Sequence, residues 1–444
     1  MNKEFHKKQN FFSFSDIDSE RKDRIMKFTS TEATPAPHVP PGVLRLTGAA
    51  KEDIPMYRIQ TMNKISPVGL NRFPSELYEV GEAVQNPQGI LVRSAKLLDL
   101  EFNPGLLAIA RAGVGVNNIP LDRCAAAGIP VFSTPGANAN AVKELVICAM
   151  LMGSRDIPGA IRWVREQAAS GVDVSTVVEK GKSAFIGPEL YKKTLGIIGL
   201  GAIGSIVANT AISLGMDVYG YDPFLSVDTA LRLDRHVHVV KDINDLYKRS
   251  DYITMHIHYT EKTAHMIDAD AIAAMKRGVR VINLARGEIV DDEAMLTALD
   301  TGMVAAYITD FPNNRLLTAP HVIAMPHLGA STPESEQNCA AMAVDTLRDY
   351  LESGNIRSSV NLPEMTMDRS GVQRLCVLHK NVPGMLANIT SLFGRDGVNV
   401  ENLSNKSRGD YAYTMVDLGS KVGDNVIEDV RRTANVIRVR SLEW

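Results

Sequence analysis

Apolar residues along the chain gather in short runs of strand length, separated by longer stretches in which they return at helical intervals. Strands buried on both faces of a parallel sheet read as continuous apolar runs, and the helices covering them show one apolar face at a period near 3.6. The alternation is sharpest in KTLGIIGLGAIGSIVANTAISLGMDVYGYD. There residues 195–198 form a strand-length run, residues 203–214 keep a helical period until Gly215 stops it, and residues 218–221 read as the next parallel strand. Further strands are expected at 251–257, 279–284, 304–309 and 322–325. Upstream, strand-like runs at 57–61, 90–93, 107–111 and 131–132 alternate with helical ones at 121–127 and 141–152, giving a second, smaller α/β unit. Beyond a linker at 354–363 the order becomes strand 374–379, helix 385–394, strands 398–403 and 412–418, helix 426–432 and strand 436–442. That βαββαβ order is the signature of a small ferredoxin-like module.

The expected domains are therefore a smaller α/β unit at 56–152, a dinucleotide-binding unit at 153–326 and the module at 371–444. Residues 1–55 are polar, contain PAPHVPP and keep no period, so a flexible, dispensable extension is expected there. It lacks the apolar core of a signal peptide, and Asp16, Asp18, Glu20 and Asp23 argue against a transit peptide.

Composition narrows the classes. A chain of 444 residues suits about three domains, and a net charge of −3 without a long single-sign run argues against nucleic-acid or anionic-membrane partners. No apolar run reaches the length of a membrane span. Cys124, Cys148, Cys339 and Cys376 form no C-x-x-C pair, which suits reduced thiols and a cytoplasmic location.

The candidate chemistry starts at Gly199, Gly201 and Gly204, spaced G-x-G-x-x-G between a strand and a helix. The first glycine permits a tight turn, the second lets a pyrophosphate approach backbone N–H groups, and the third lets helix and strand touch. Asp222 ends the next strand, 18 residues after Gly204 (222 minus 204), where a carboxylate binds a ribose 2′-OH and repels a 2′-phosphate. NAD is expected over NADP. Parallel strands bring their carboxyl ends to one edge, so Asp222, Arg286, Asp310 and His327 should converge on one crevice. His327 suits a general base, and Arg286 suits a substrate carboxylate. In the smaller unit Arg93 with Ser94, residues 113–117 and residues 138–140 occupy strand-to-helix turns. His256 and His258 form an H-x-H pair that a strand would present on one face, but no third ligand stands at a diagnostic spacing and no metal is expected.

At GLGAIG with Asp222, NLARG with Arg286 and PHLGAST with His327, the chain resembles the D-isomer-specific 2-hydroxyacid dehydrogenases, over roughly residues 56–363. The resemblance implies a Rossmann domain inserted in a flavodoxin-like substrate domain that residues 327–363 complete. It implies NAD contacts from Ala202, Ile203, Asp222, Leu284 and Asp310 beside the three glycines, and substrate contacts from Arg93, Ser94, Asn138 and Arg286. His327 would be the acid/base, and Lys143 is a phosphate candidate beside Arg93.

HKNVPGMLANI and GVNVENL resemble an ACT domain. A dehydrogenase of this type joined to such a module implies oxidation of 3-phospho-D-glycerate to 3-phosphohydroxypyruvate in serine synthesis, by a homo-oligomer of two or four chains. L-Serine would bind at His379, Asn381 and Asn399. The alternatives are another 2-hydroxyacid, such as 2-hydroxyglutarate or glycerate, and an NAD-sensing corepressor-like protein. One motif departs from the family. Its D-V-F-x-x-E-P reads TDFPNNR here, which puts Asn314 where the glutamate that orients the histidine belongs and displaces Asp310 by one position. Asp310 is the expected substitute.

Overall fold

The computed structural model describes residues 56–444, so the extension expected at 1–55 lies outside the described residues. The first sheet contains β1 (Tyr57–Met62), β2 (Tyr78–Gly81), β3 (Gly89–Val92), β4 (Ala108–Arg111) and β5 (Val131–Phe132). All its pairings are parallel, and the order β2-β1-β3-β4-β5 is that of a flavodoxin-like sheet. Helix α1 (Ala139–Arg155) then crosses to the second sheet, burying Val142, Val146, Ala149 and Met150 in the same core as β6 (Thr194–Ile198).

The second sheet adds β7 (Asp217–Tyr221), β8 (Val237–Val240), β9 (Tyr252–Met255), β10 (Val279–Asn283), β11 (Val304–Thr309) and β12 (Val322–Ala324). Its order, β12-β11-β10-β9-β6-β7-β8, is the doubly wound Rossmann arrangement with one more strand at an edge. Helix α2 (Ala202–Ser213) follows β6. The strand expected at 251–257 stops at Met255, once His256 N–H has donated to Ile198 O at 2.7 Å, so His256 and His258 lie in the loop beyond it and not on one strand face.

The chain next returns to the first sheet. Helix α3 (Pro333–Ser353) is capped by the Thr332 side chain, which accepts from Ser335 N–H, and ends at Gly354 in the left-handed conformation. Its Ala340, Ala343, Val344, Leu347 and Leu351 share a core with Ile59, Leu91, Ala108, Ala110 and Phe132.

The remaining elements are β13 (Gln373–Lys380), α4 (Met385–Arg395), β14 (Val400–Arg408), β15 (Tyr411–Leu418), α5 (Asp424–Arg432) and β16 (Val436–Glu443). The antiparallel order β14-β15-β13-β16 completes the expected ferredoxin-like arrangement. Leu375, Val377, Val416 and Leu418 pack under α4 and α5. The opposite sheet face is not free: Cys376, Leu378, Tyr413 and Met415 enter the core shared with α3. Carbonyl groups at a helix C-terminus lack partners within the helix, and here this module supplies them. Arg440 donates to the carbonyls of Tyr350 and Leu351, Arg374 to that of Ser353 and the Tyr413 hydroxyl to that of Gly354.

Candidate active site

The turn from β6 into α2 is built by its glycines. Gly199 holds φ +90°, and a Cβ there would lie 2.7 Å from His256 O, while a Cβ on Gly204 would lie 1.9 Å from Gly199 O. Gly201 differs, since a Cβ on it would meet nothing within 4 Å. That open space lies over the first turn of α2, where unpaired N–H groups face outward. Asp222 closes the turn from the next strand, accepting from Leu200 N–H at 2.9 Å and Phe224 N–H at 2.9 Å.

A cleft of about 230 Å³ runs from this turn between the two sheets, lined by residues that include Asn138, Gly201, Ala202, Ile203, Leu284, Arg286, Asp310 and His327. Buried Asn283 fixes the loop that carries Arg286, donating to Arg286 O at 2.9 Å and accepting from Ala285 N–H at 3.1 Å. His327 is exposed and holds φ +44°, in the left-handed region. Its ring lies 4.7 Å from that of Phe311, and the Arg286 guanidinium stands 5.9 Å from the same phenyl ring. Phe311 thus touches both candidate catalytic side chains, a placement not read from the sequence.

The expected carboxylate partner of His327 is not where TDFPNNR suggested. Asp310 is buried and turns Oδ2 to Gly329 N–H at 3.0 Å, and its only hydrogen bond with His327 is between backbones, His327 N–H to Asp310 O at 2.9 Å. Burial pushes its carboxyl above the usual range, opposed by the Gly329 hydrogen bond and by the charges of His327 and Arg286. Its Oδ1, like Oδ1 of Asn138, is buried without a partner. Asn314 is exposed.

On the substrate side, Arg93 follows β3 and Arg111 ends β4. Arg111 Nε donates to Arg93 O at 3.0 Å, and a Cβ on Gly115 would lie 3.0 Å from Nη2 of Arg286 and 3.7 Å from Nη1 of Arg111. Burial lowers the Arg111 pKa, and the charges of Arg286 and Arg93 act in the same direction. Arg111 is a candidate site residue not read from the sequence. Its signal was a charged residue at the carboxyl end of an otherwise buried strand, AIAR. Ser94 is exposed, and its backbone N–H is held by Asn63 Oδ1 at 3.0 Å. Lys143 is engaged by Asn140 at 2.7 Å and Glu144 at 3.7 Å on its own helix.

In the C-terminal module His379 is buried, with Nδ1 donating to Lys380 O at 2.8 Å and Nε2 paired with Thr414 Oγ1 at 2.9 Å, so both ring nitrogens are used internally. Asn381 and Asn399 are exposed at opposite ends of the module's first helical crossover, bonded to Gly409 O and Glu401 Oε1.

Residues 147–329 match the model of the NAD-binding domain of D-isomer specific 2-hydroxyacid dehydrogenases. The D-3-phosphoglycerate dehydrogenase of Escherichia coli K12 is 33% identical over 350 residues, spanning 76% of this chain and 82% of that protein. The chain belongs to the D-isomer specific 2-hydroxyacid dehydrogenase family. The enzyme of the same name from Synechocystis is 36% identical over 326 residues, which cover 71% of this chain but only 56% of the relative. Among solved structures, NAD⁺-bound 3-phosphoglycerate dehydrogenase of Entamoeba histolytica superposes with a TM-score of 0.54 at 26% identity, covering 69% of this chain and 99% of that one.

The residues present fit NAD. The open space at Gly201 would receive a pyrophosphate, the free lone pairs of Asp222 would receive ribose hydroxyls, and the orphaned Oδ1 of Asp310 would accept from a carboxamide N–H.

Proposed function

We propose that the chain oxidises 3-phospho-D-glycerate to 3-phosphohydroxypyruvate in the cytosol, with NAD as the acceptor. The observation that carries this reading is the convergence of Arg93 and Arg111 with Arg286, which shares its cleft with His327, a cationic wall suited to a substrate with two anionic ends. The names of the relatives point to the same acid.

In this reading Arg286 grips the substrate carboxylate and draws electron density from the adjoining carbon. Arg111 and Arg93 face the phosphate end, and Asn138 Oδ1 takes a hydrogen bond from the ligand. His327 accepts the hydroxyl proton of the alcohol and returns it to the ketone oxygen in the reverse direction. NAD, when bound, supplies the hydride acceptor. Gly199, Gly201, Ala202, Ile203, Gly204, Asp222, Leu284 and Asp310 hold it in place. L-Serine acts as the effector through Asn381 and Asn399 in a homo-oligomer; because His379 is internally bonded, its part is to hold β13 and β15 together.

The test compares NADH formation from 3-phospho-D-glycerate, D-glycerate and D-2-hydroxyglutarate by the full chain. A strong preference for the phosphorylated acid is expected. Preference for either other acid would replace the substrate, and NADH binding without turnover of any of the three would replace the enzyme reading with a cofactor-sensing one. For regulation, millimolar L-serine should lower the rate and Asn381→Ala with Asn399→Ala should abolish that response; a response left intact would remove these residues from the effector site.

A further inference from the structure

Glu336 stands in the first turn of α3 and places Oε1 2.6 Å from Nη2 of Arg93, with the two side chains 44% and 43% exposed. The pair is held from both sides. Arg93 cannot retreat with its backbone, because its carbonyl accepts from Arg111 Nε, and Glu336 is carried by a helix that Cys339, Ala340 and Ala343 fasten to the first sheet. Both half-exposed side chains are thus carried by backbone anchored to the first sheet.

We propose that Glu336 is a specificity-determining residue: it competes with the dianionic end of the substrate for Arg93 and so moderates, without reversing, the preference for phosphorylated over unphosphorylated 2-hydroxyacids. The inference rests on the reading of this site as one for a 2-hydroxyacid. A phosphate monoester carries about −1.5 to −2 charges at neutral pH. To reach Arg93 it displaces the Glu336 carboxylate, then keeps that carboxylate as a like-charged neighbour, and both effects oppose binding. A carboxylate or hydroxyl end held by Arg286 and Arg111 alone meets neither obstacle. Because the pair is half in solvent, the handicap is modest, up to roughly a fivefold factor.

Glu336→Gln keeps the size of the side chain and removes the charge. Its KM for 3-phospho-D-glycerate should fall about three- to fivefold, with a shift of less than about twofold for D-glycerate, which lacks the dianion. Calorimetric titration of inorganic phosphate into the NADH-loaded full chain should show a matching gain in affinity. Glu336→Asp keeps the charge and should stay near wild type, whereas a purely structural role in the helix would make the two variants behave alike.

Equal or higher KM in Glu336→Gln together with unchanged phosphate affinity overturns the role of Glu336 and leaves the substrate reading intact. If neither protein turns over 3-phospho-D-glycerate but phosphate still binds more tightly to Glu336→Gln, the substrate reading falls and the role of Glu336 stands.

Discussion

Arg374 and Asp417 form a two-pronged ion pair, Nε to Oδ1 at 2.6 Å and Nη2 to Oδ2 at 2.7 Å, with neither side chain reached by solvent. The remaining donors of Arg374 go to the carbonyls of Ser353, Met367 and Asp368, and Asp417 also accepts from Ser370. Every polar edge is satisfied, so the pair tolerates its burial. Removing one partner does not. Asp417→Asn should lower unfolding stability by about 3–5 kcal/mol, because it leaves a guanidinium charge uncompensated in a dry site. Urea titration followed by circular dichroism measures this, and a loss below about 1 kcal/mol would mean that water enters the junction.

The glycines of the cofactor turn should separate by function. Gly201→Ala adds a methyl group to open space, so the thermal midpoint should stay near wild type while NADH binding weakens. In Gly204→Ala the new Cβ lies 1.9 Å from Gly199 O, so folding itself should suffer. Differential scanning fluorimetry with and without NADH distinguishes the two, and equal thermal losses would contradict the assignment of Gly201 to the ligand.

Asp310→Asn should weaken NADH binding rather than disturb proton transfer. An amide at this position must turn an NH₂ either toward Gly329 N–H or toward the ligand donor that Oδ1 awaits, a conflict worth about 1–3 kcal/mol. Fluorescence titration should show NADH affinity reduced by roughly tenfold or more. A change confined to the pH profile of kcat would instead tie Asp310 to the His327 imidazole.

His256 should make the protein sensitive to acid. Burial pushes its imidazole down to about 4 from 6.5, so the unfolded chain takes up the proton first as pH falls. The resulting stability is complete above about pH 6.5 and is lost on the way to pH 4. The shift corresponds to an upper value of about 3 kcal/mol, and partial exposure of the ring reduces this to roughly 2 kcal/mol. His256→Gln should flatten the dependence of unfolding free energy on pH between 6.5 and 4, and an unchanged slope would show that other groups carry it.

What the sequence revealed depended on whether a segment's structure is set by its own residues. The turn between β6 and α2, the carboxylate of Asp222 and the strand-end positions of Arg286 and His327 were legible because each rests on a local apolar run and its punctuation. Strands β2 and β8 were not, since YEVG and VHVV are short edge strands half open to solvent. Strand β14 extends to Arg408 through the polar SNKSR because its ladder with β15, not an apolar face, holds it. Helix α1 begins at Ala139, before the expected 141, because Asn138 and Asn140 on either side of that first residue read as loop. Arg111 and Phe311 were missed for a shared reason: their meaning comes only from a neighbour distant in sequence, Arg286 for both. Asp310 misled because one backbone bend turned its carboxylate to Gly329.

The capped end of α3 also bears on how a nascent chain completes itself. The core beneath the first sheet draws on Ile59 near one end of the described chain and on Met415 near the other, whereas the core beneath β9, β10 and β11 is assembled from residues between Ile198 and Val322. A ribosome delivers the second set long before Arg440 can reach the carbonyls of Tyr350 and Leu351. The middle domain can therefore close while translation continues, and the domain begun first is finished last.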